Sequence, residues 1–267
     1  MSSPIARPSA ARTQDLVDNL AEIRDRVRQA AGDRLGKEPT LVAVSKYKPP
    51  ADLLACYDVG QRDFGENYVQ ELVDKAEALP KDIRWHFIGT LQSNKAKILA
   101  SIPNIAAVQT VTSAKAATGL NKSLPADRTD QLSILLQVNT SGEEAKSGLP
   151  PSGQEESELA VLARHVLDTC PRLRLEGLMT IGSLDMSVGA GDENQDFKTL
   201  IRVREELQEV LRGKYGIEQW GDGSGTLRVS MGMSSDFEAA LRAGSDIVRV
   251  GTGIFGERHK KGEAPPP

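Results

Sequence analysis

A lysine near the end of an apolar segment is the first residue of this chain that could do covalent chemistry. In LVAVSK, alternation along a strand places Val42, Val44 and Lys46 on one face, so Lys46 ends an apolar row. A lysine partly removed from water keeps more of its amine neutral, and the neutral amine is the form that attacks an aldehyde. The alternative is an ordinary surface lysine just beyond a strand, like Lys48.

Arg249 is a second candidate. In DIVRVGT it shares one face with Ile247, while Val248 and Val250 share the other. If the valines face a layer of helices, Arg249 points inward. A buried guanidinium needs an anion or a strong acceptor, so this position indicates either a ligand contact or an internal ion pair.

Two segments near Arg249 suit a phosphate group. Gly251 and Thr252 follow it directly and offer backbone N–H groups and a hydroxyl. SMGMSS (230–235) opens a predicted helix, where free amides and the helix dipole favour an anion beside Ser234. We therefore predict one phosphate pocket made by both segments. An ordinary helix cap at Ser234 or Ser235 is also expected.

The elements that must position these residues alternate regularly between strand and helix. Strands are predicted at 41–46, 62–67, 84–89, 106–111, 132–139, 173–182, 226–232 and within 246–256. Helices are predicted at 13–31, 51–60, 68–79, 92–100, 113–123, 156–170, 194–212 and 235–244. Eight such units predict an α/β fold, a single (β/α)8 TIM barrel with an extra N-terminal helix. Loss of the second and fourth strands would leave an open doubly wound sheet.

Active sites of these barrels lie at the C-terminal ends of the strands. That rule admits the candidates above and excludes the glycine-rich GDGSGT (221–226), which precedes the seventh strand and is predicted to be a turn on the opposite rim. Glu66, Asn67 and His86 lie at or near strand ends, where each alone is more typical of a local hydrogen bond.

The composition argues against several partners. The chain has 33 lysines and arginines against 37 acids, a net charge of -4, which opposes general binding to nucleic acid. Cys56 and Cys170 form no CxxC pattern, and the three histidines share no metal-ligand spacing. No apolar run approaches the roughly 18 residues that span a bilayer. We expect no metal, nucleic-acid or membrane partner.

One domain is expected over residues 13–258, between disordered tails at 1–12 and 259–267. The first residues carry arginines and serines with no acid before Asp15, which allows a mitochondrial presequence. Pro4 and Pro8 oppose the amphipathic helix that such a presequence needs, so a cytoplasmic location is expected.

Seven segments in order resemble the pyridoxal phosphate homeostasis protein family, also called the proline synthase co-transcribed or YggS-like family. They are LVAVSKYKP, FGENYVQEL, WHFIGTLQSNK, QVNTSGEEAKSGL, GLMTIG, LRVSMGMSSDFEAAL and VRVGTGIFGER. The likeness runs from about residue 13 to residue 258. It implies a barrel like that of alanine racemase and pyridoxal 5'-phosphate (PLP) as the cofactor.

The resemblance also implies roles for single residues. Lys46 would hold PLP as a Schiff base, Arg249 would face the pyridine nitrogen and Asn67 would lie near the ring. The implied phosphate-binding set is Ser230, Gly232, Ser234, Gly251 and Thr252. Lys146, in EEAKSG, matches a family lysine of less certain role.

The implied function is PLP homeostasis, with delivery of PLP to apo-enzymes and no expected turnover. A guanidinium cannot accept the proton of the ring nitrogen, so the ring would be a weak electron sink. A two-base racemase takes its second base from an additional domain, for which this chain leaves no room, and a monomer is expected. An amino-acid racemase is the alternative. A third possibility is a barrel that binds a phosphate-bearing metabolite without an aldehyde.

Overall fold

The computed structural model describes residues 5–32, 38–143, 146–182 and 194–257 of the 267-residue chain. Its strands are β1 (Thr40–Val44), β2 (Asp63–Glu66), β3 (Arg84–Phe87), β4 (Ile105–Val111), β5 (Leu132–Gln137), β6 (Leu173–Met179), β7 (Arg228–Ser230) and β8 (Ile247–Val250). Each strand pairs in parallel with the next, and β8 returns to β1, so the sheet closes into a barrel. The predicted (β/α)8 barrel is confirmed. The second and fourth strands, whose loss would have left an open sheet, are both present.

The helices of the described ranges follow the predicted alternation. They are α1 (Ala10–Ala31), α2 (Pro50–Asp58), α3 (Val69–Ala78), α4 (Ala96–Ala100), α5 (Ala114–Ser123), α6 (Glu158–Thr169), α7 (Gln195–Tyr215), α8 (Phe237–Arg242) and α9 (Thr252–Phe255), with a 3-10 turn at Ser93–Lys95. None of them, in the part of the chain described, has the length and apolar character to cross a bilayer.

The N-terminal helix begins earlier than predicted. Helix α1 starts at Ala10 because the side-chain oxygen of Ser9 accepts the backbone N–H of Arg12 and caps the first turn. Pro8 lies just outside the cap, where it does not interrupt the helix. The predicted tail over 1–12 is therefore wrong for its last three residues. Residues 1–4 and the predicted tail over 259–267 lie outside the described residues.

Strand β8 shows how the alternation of side chains divides the core. Val248 and Val250 pack outward into the large apolar layer between the barrel and its helices. Ile247 packs inward, in a small cluster with Val42, Leu135 and Met179 that fills part of the barrel interior. Arg249 shares the inward face, as predicted, and is buried above Ile247. Its polar group therefore lies inside the barrel, near the C-terminal strand ends.

Candidate functional site

A cavity of about 180 Å³ lies at the C-terminal mouth of the barrel. Six of the eight site residues expected from the sequence line it: Lys46, Asn67, Ser234, Arg249, Gly251 and Thr252. Val44, Ile88 and Met179 add apolar walls. The cavity therefore brings together Lys46, Arg249 and the segments that the sequence predicted to bind a phosphate.

Two of the expected residues do not line this cavity. Ser230 is completely buried, and its hydroxyl oxygen accepts a hydrogen bond from Arg249. Gly232 has φ of +92°, and a Cβ at this position would lie 2.5 Å from the Cβ of Ala240. Both support the site from behind, Ser230 by contacting Arg249 and Gly232 by letting its loop pack against α8.

Lys46 follows β1 at a sharp turn of the backbone. The next residue, Tyr47, has φ of +63°, in the left-handed region that side chains other than glycine rarely adopt. The Glu71 carboxylate accepts the backbone N–H of Tyr47 at 2.6 Å, and Lys48 N–H donates to the carbonyl of Ser45. These bonds stabilise a backbone conformation that costs about 1–3 kcal/mol on its own.

A buried ion cluster, which the sequence reasoning missed, holds the other side of this turn. Lys75 Nζ donates to the carbonyl oxygen of Ser45 at 2.7 Å and to the carboxylates of Glu66 at 2.6 Å and Glu71 at 2.7 Å. The Ser45 hydroxyl also donates to Glu66, at 2.6 Å. Burial raises the pKa of Glu66 to about 7, against the attraction of Lys75. The cluster therefore fixes the residues on both sides of Lys46.

Lys48, which the sequence analysis took as an example of a surface lysine, is buried. Its side chain also borders the cavity, and the residue is only 8% exposed. Nζ donates to the carbonyl oxygens of Phe255 at 3.1 Å and Glu257 at 2.7 Å. An amine bound in this way must release both carbonyls before it can attack an aldehyde.

The buried guanidinium of Arg249 is held by neutral acceptors. Nη1 donates to the Ser230 hydroxyl at 2.6 Å and Nη2 to the carbonyl oxygen of Thr180 at 2.7 Å. Burial lowers the pKa of Arg249 to about 10, so the group stays protonated at neutral pH. In the described part of the chain no carboxylate forms an ion pair with it. Among the described residues, Arg249 therefore does not form the internal ion pair that the sequence left open.

The predicted phosphate pocket joins the ends of β7 and β8. The backbone N–H of Gly251 donates to the Ser234 hydroxyl oxygen at 3.1 Å. A Cβ on Gly251 would lie 3.1 Å from the carbonyl oxygen of Val44, so glycine allows a close approach to β1. The predicted cap at Ser234 or Ser235 is wrong, because α8 begins after Asp236, whose carboxylate accepts the N–H of Met233. Ser234 is thus not used as a cap.

Asn67 carries an unsatisfied polar atom at the cavity. Its side-chain oxygen Oδ1 is buried, and none of the residues described donates a hydrogen bond to it. Gly89 packs against the backbone of Asn67 so closely that a Cβ would lie 1.9 Å from the Asn67 carbonyl oxygen. A buried acceptor without a donor is costly, so this position fits a ligand with a polar group.

Four other sequence candidates lie elsewhere. Lys146 Nζ donates to Glu143 at 2.7 Å and is not among the residues that line the cavity. The segment 221–226 is a turn that borders a cavity at the opposite rim, as predicted. Glu66 belongs to the buried ion cluster, and His86 points into the barrel below the cavity.

A larger groove, about 970 Å³, opens at the N-terminal ends of β1, β2 and β3. It contains several arginines, of which Arg84 is paired with the Asp63 carboxylate and Arg24 donates to the carbonyl of Val59 and the side chain of Gln61. None of the described residues that line this groove is a lysine. The larger volume therefore does not identify the functional site. The smaller cavity at the other rim is the one that brings together Lys46, Arg249 and Ser234.

Comparison with known proteins agrees with this geometry. Residues 18–259 match the family model described as the alanine racemase N-terminal domain. A pyridoxal phosphate homeostasis protein of Schizosaccharomyces pombe is 44% identical over 236 residues, which is 88% of this chain and 90% of that protein. The chain belongs to the pyridoxal phosphate homeostasis protein family. The human member is 41% identical over 249 residues, covering 90% of this chain and 85% of its own.

A solved structure of the family fold contains the cofactor. PipY of Synechococcus elongatus, with PLP bound, matches with a TM-score of 0.69 and 27% identity, over 90% of this chain and 100% of that one. The family expected from the seven sequence segments is confirmed, as is the alanine racemase-like barrel.

Proposed function

We propose that this chain binds PLP through the Lys46 amine and takes part in PLP homeostasis, passing the cofactor to apo-enzymes. The observation that carries the proposal is the single cavity that joins Lys46 to Ser234, Gly251 and Thr252. The names of the family members and the PLP bound to PipY support the same cofactor.

The residues of the cavity suit the parts of PLP. When bound, PLP supplies an aldehyde that reacts reversibly with a primary amine. Lys46 provides the amine, and Ser234 and Thr252 provide hydroxyls for a phosphate, while the backbone N–H of Gly251 holds the Ser234 hydroxyl oxygen in place. Arg249 presents a cation that can donate to the ring nitrogen, and Asn67 Oδ1 can accept from a polar ring substituent.

The lining of the cavity favours a carrier over a racemase. A two-base racemase needs a second proton acceptor on the other face of its substrate. Among the described lining residues, the side chains that can act as a base are Lys46 and Lys48, and Lys48 is held by two carbonyls. Arg249 holds its own proton and offers no base. The chain's residues can therefore bind and orient the cofactor without the pair of bases that racemisation uses.

The experiment that tests this proposal follows both activities in one preparation. The holo-protein is incubated with L-alanine and with L-serine, and D-isomers are measured by chiral chromatography. In parallel, it is mixed with an apo-form of a PLP enzyme, whose recovered activity reports transfer. We expect transfer and no D-isomer above the level given by free PLP. Enzymatic formation of D-isomer that depends on Lys46 would replace this proposal with the racemase.

A further inference from the structure

A file of polar side chains crosses the barrel interior below the cavity. Arg249 Nη1 donates to Ser230 Oγ at 2.6 Å, and Ser230 donates to Gln109 Oε1 at 2.7 Å. Gln109 Nε2 lies 3.0 Å from His86 Nδ1, and His86 Nε2 lies 3.0 Å from Asp63 Oδ1. The five residues, which we call the interior file, come from β8, β7, β4, β3 and β2.

The interior file is as buried as the apolar core beside it. Ser230 and Gln109 are completely inaccessible, and Arg249, His86 and Asp63 are each below a tenth exposed. Apolar side chains in these positions would avoid the cost of burying polar groups, as the neighbouring Val42 and Leu135 do. Filling the barrel therefore does not explain the interior file. Its contact with the cavity through Arg249 indicates a role at the site.

The hydrogen bonds of the interior file have a consistent direction from Arg249 to Asp63. Arg249 can only donate, so Ser230 Oγ accepts from it and turns its own hydrogen toward Gln109 Oε1. That contact assigns the other end of the Gln109 amide as the N–H2 group, which donates to His86 Nδ1. The His86 ring then carries its hydrogen on Nε2 and donates to Asp63.

Asp63 ends the file as an ionised acceptor. Burial alone would raise its pKa, but hydrogen bonds from His86 and Arg84 lower it to about 2. Arg84 Nε donates to the same carboxylate oxygen at 2.8 Å, at the N-terminal rim of the barrel. When the His86 ring carries a single hydrogen, the accepting carboxylate at one end and the donating guanidinium at the other are consistent with this arrangement.

We propose that Gln109 and His86 are positioning residues for the cofactor, acting through Ser230 to hold the Arg249 guanidinium at the cavity. The inference rests on the proposed function, because it assigns their effect to bound PLP. Neither residue lines the cavity, so any effect on PLP must pass along the file. A guanidinium that loses the Ser230–Gln109 support turns or shifts, and the ring environment changes with it.

Two substitutions at Gln109 test the file. Gln109→Met keeps a side chain of similar size that neither donates nor accepts a hydrogen bond. Gln109→Glu can accept the hydrogen bond from Ser230, and it contacts His86 either as a neutral acid or as a carboxylate beside an imidazolium. We expect Gln109→Met to speed PLP release about tenfold and to shift the visible absorption band of the holo-protein. Gln109→Glu should restore slow release. Asn104→Leu, which removes a side-chain bond to the Ile83 carbonyl next to β4, is the control and should change neither reading.

A measurement on the unaltered protein keeps the test decisive if Gln109→Met does not fold. ¹⁵N NMR of histidine-labelled protein, with His86 assigned by the absence of its signals from His86→Gln, should show Nε2 carrying a hydrogen and Nδ1 accepting one. Hydrogen on Nδ1 in the wild type, or release by Gln109→Met as slow as wild type, would overturn the interior file. The NMR result does not depend on PLP, so failure of PLP to bind at Lys46 would reject the proposed function, and with it the positioning role, but would leave the hydrogen-bond directions of the interior file standing.

Discussion

The backbone N–H of Gly251 donates to the hydroxyl oxygen of Ser234 across 3.1 Å, and this bond joins the segment after β7 to the segment after β8. It uses a lone pair of the serine and leaves the O–H of Ser234 able to donate to an anion. Both residues line the same cavity as Lys46. The proposed phosphate end of the site is therefore built by a contact between two neighbouring strand ends.

Ser234→Ala is expected to weaken PLP binding about tenfold or more, because a hydrogen bond to a charged group contributes about 1.5–3 kcal/mol. Equilibrium titration followed by absorbance measures the dissociation constant. Ser235→Ala is the matched control, since Ser235 is exposed and does not line the cavity. Equal affinities for both variants would remove Ser234 from the phosphate site.

Arg249→Ala is expected to lower PLP retention and the free energy of unfolding of the apo-protein together. The substitution leaves Ser230 and the carbonyl of Thr180 without their donor inside the barrel, at a cost of about 2 kcal/mol or more. Denaturant unfolding of the apo-protein measures the stability. Arg242→Ala, at an exposed arginine of α8, should stay within about 0.5 kcal/mol of wild type. An apo-protein with unchanged stability would contradict the burial argument for Arg249.

The buried Glu66 predicts a specific pH dependence of stability. Its pKa of about 7 in the folded protein exceeds the ordinary 4.5, so the folded state binds the proton more tightly than the unfolded state. The resulting contribution is complete below about pH 4.5 and is lost as the pH rises through 7. Relative to Glu66→Gln, which does not titrate, the wild type should lose up to about 3 kcal/mol across this range.

Urea unfolding of both proteins at several pH values between 4.5 and 8 checks this. Glu22→Gln serves as the control, because Glu22 forms an exposed ion pair with Arg26 and should give a nearly constant difference from wild type. A wild-type protein that gains stability relative to Glu66→Gln as the pH rises would show that Lys75 outweighs burial.

Much of the fold and of the site could be predicted from local pattern. The alternation in DIVRVGT placed Arg249 inside and Val248 and Val250 outside, because neighbouring side chains of a strand must face opposite ways. The rule that barrel sites lie at C-terminal strand ends placed Lys46 and the turn at 221–226 at opposite rims, and the structure has Lys46 at the C-terminal cavity and the turn at the other rim.

The rest depends on contacts between distant parts of the chain. Lys75 stands in the apolar stripe of α3 between Leu72 and Ala76, which is a local signal of an unusual buried lysine, but its partners could not be read from it. Likewise, Gln109 interrupts an apolar strand, and only the closed barrel brings it to both Ser230 and His86. The Lys48 amine is held by carbonyl groups at the end of α9 and just beyond it, more than 200 residues later.

The most direct test of the account is to identify the lysine that reacts with PLP. The holo-protein is reduced with borohydride, digested and mapped by mass spectrometry, alongside Lys46→Ala and Lys48→Ala. We predict one phosphopyridoxyl group, on Lys46, that is absent from Lys46→Ala and retained in Lys48→Ala, with both variants folded. A label on Lys48, or on any other lysine of the wild-type protein in place of Lys46, would contradict the account.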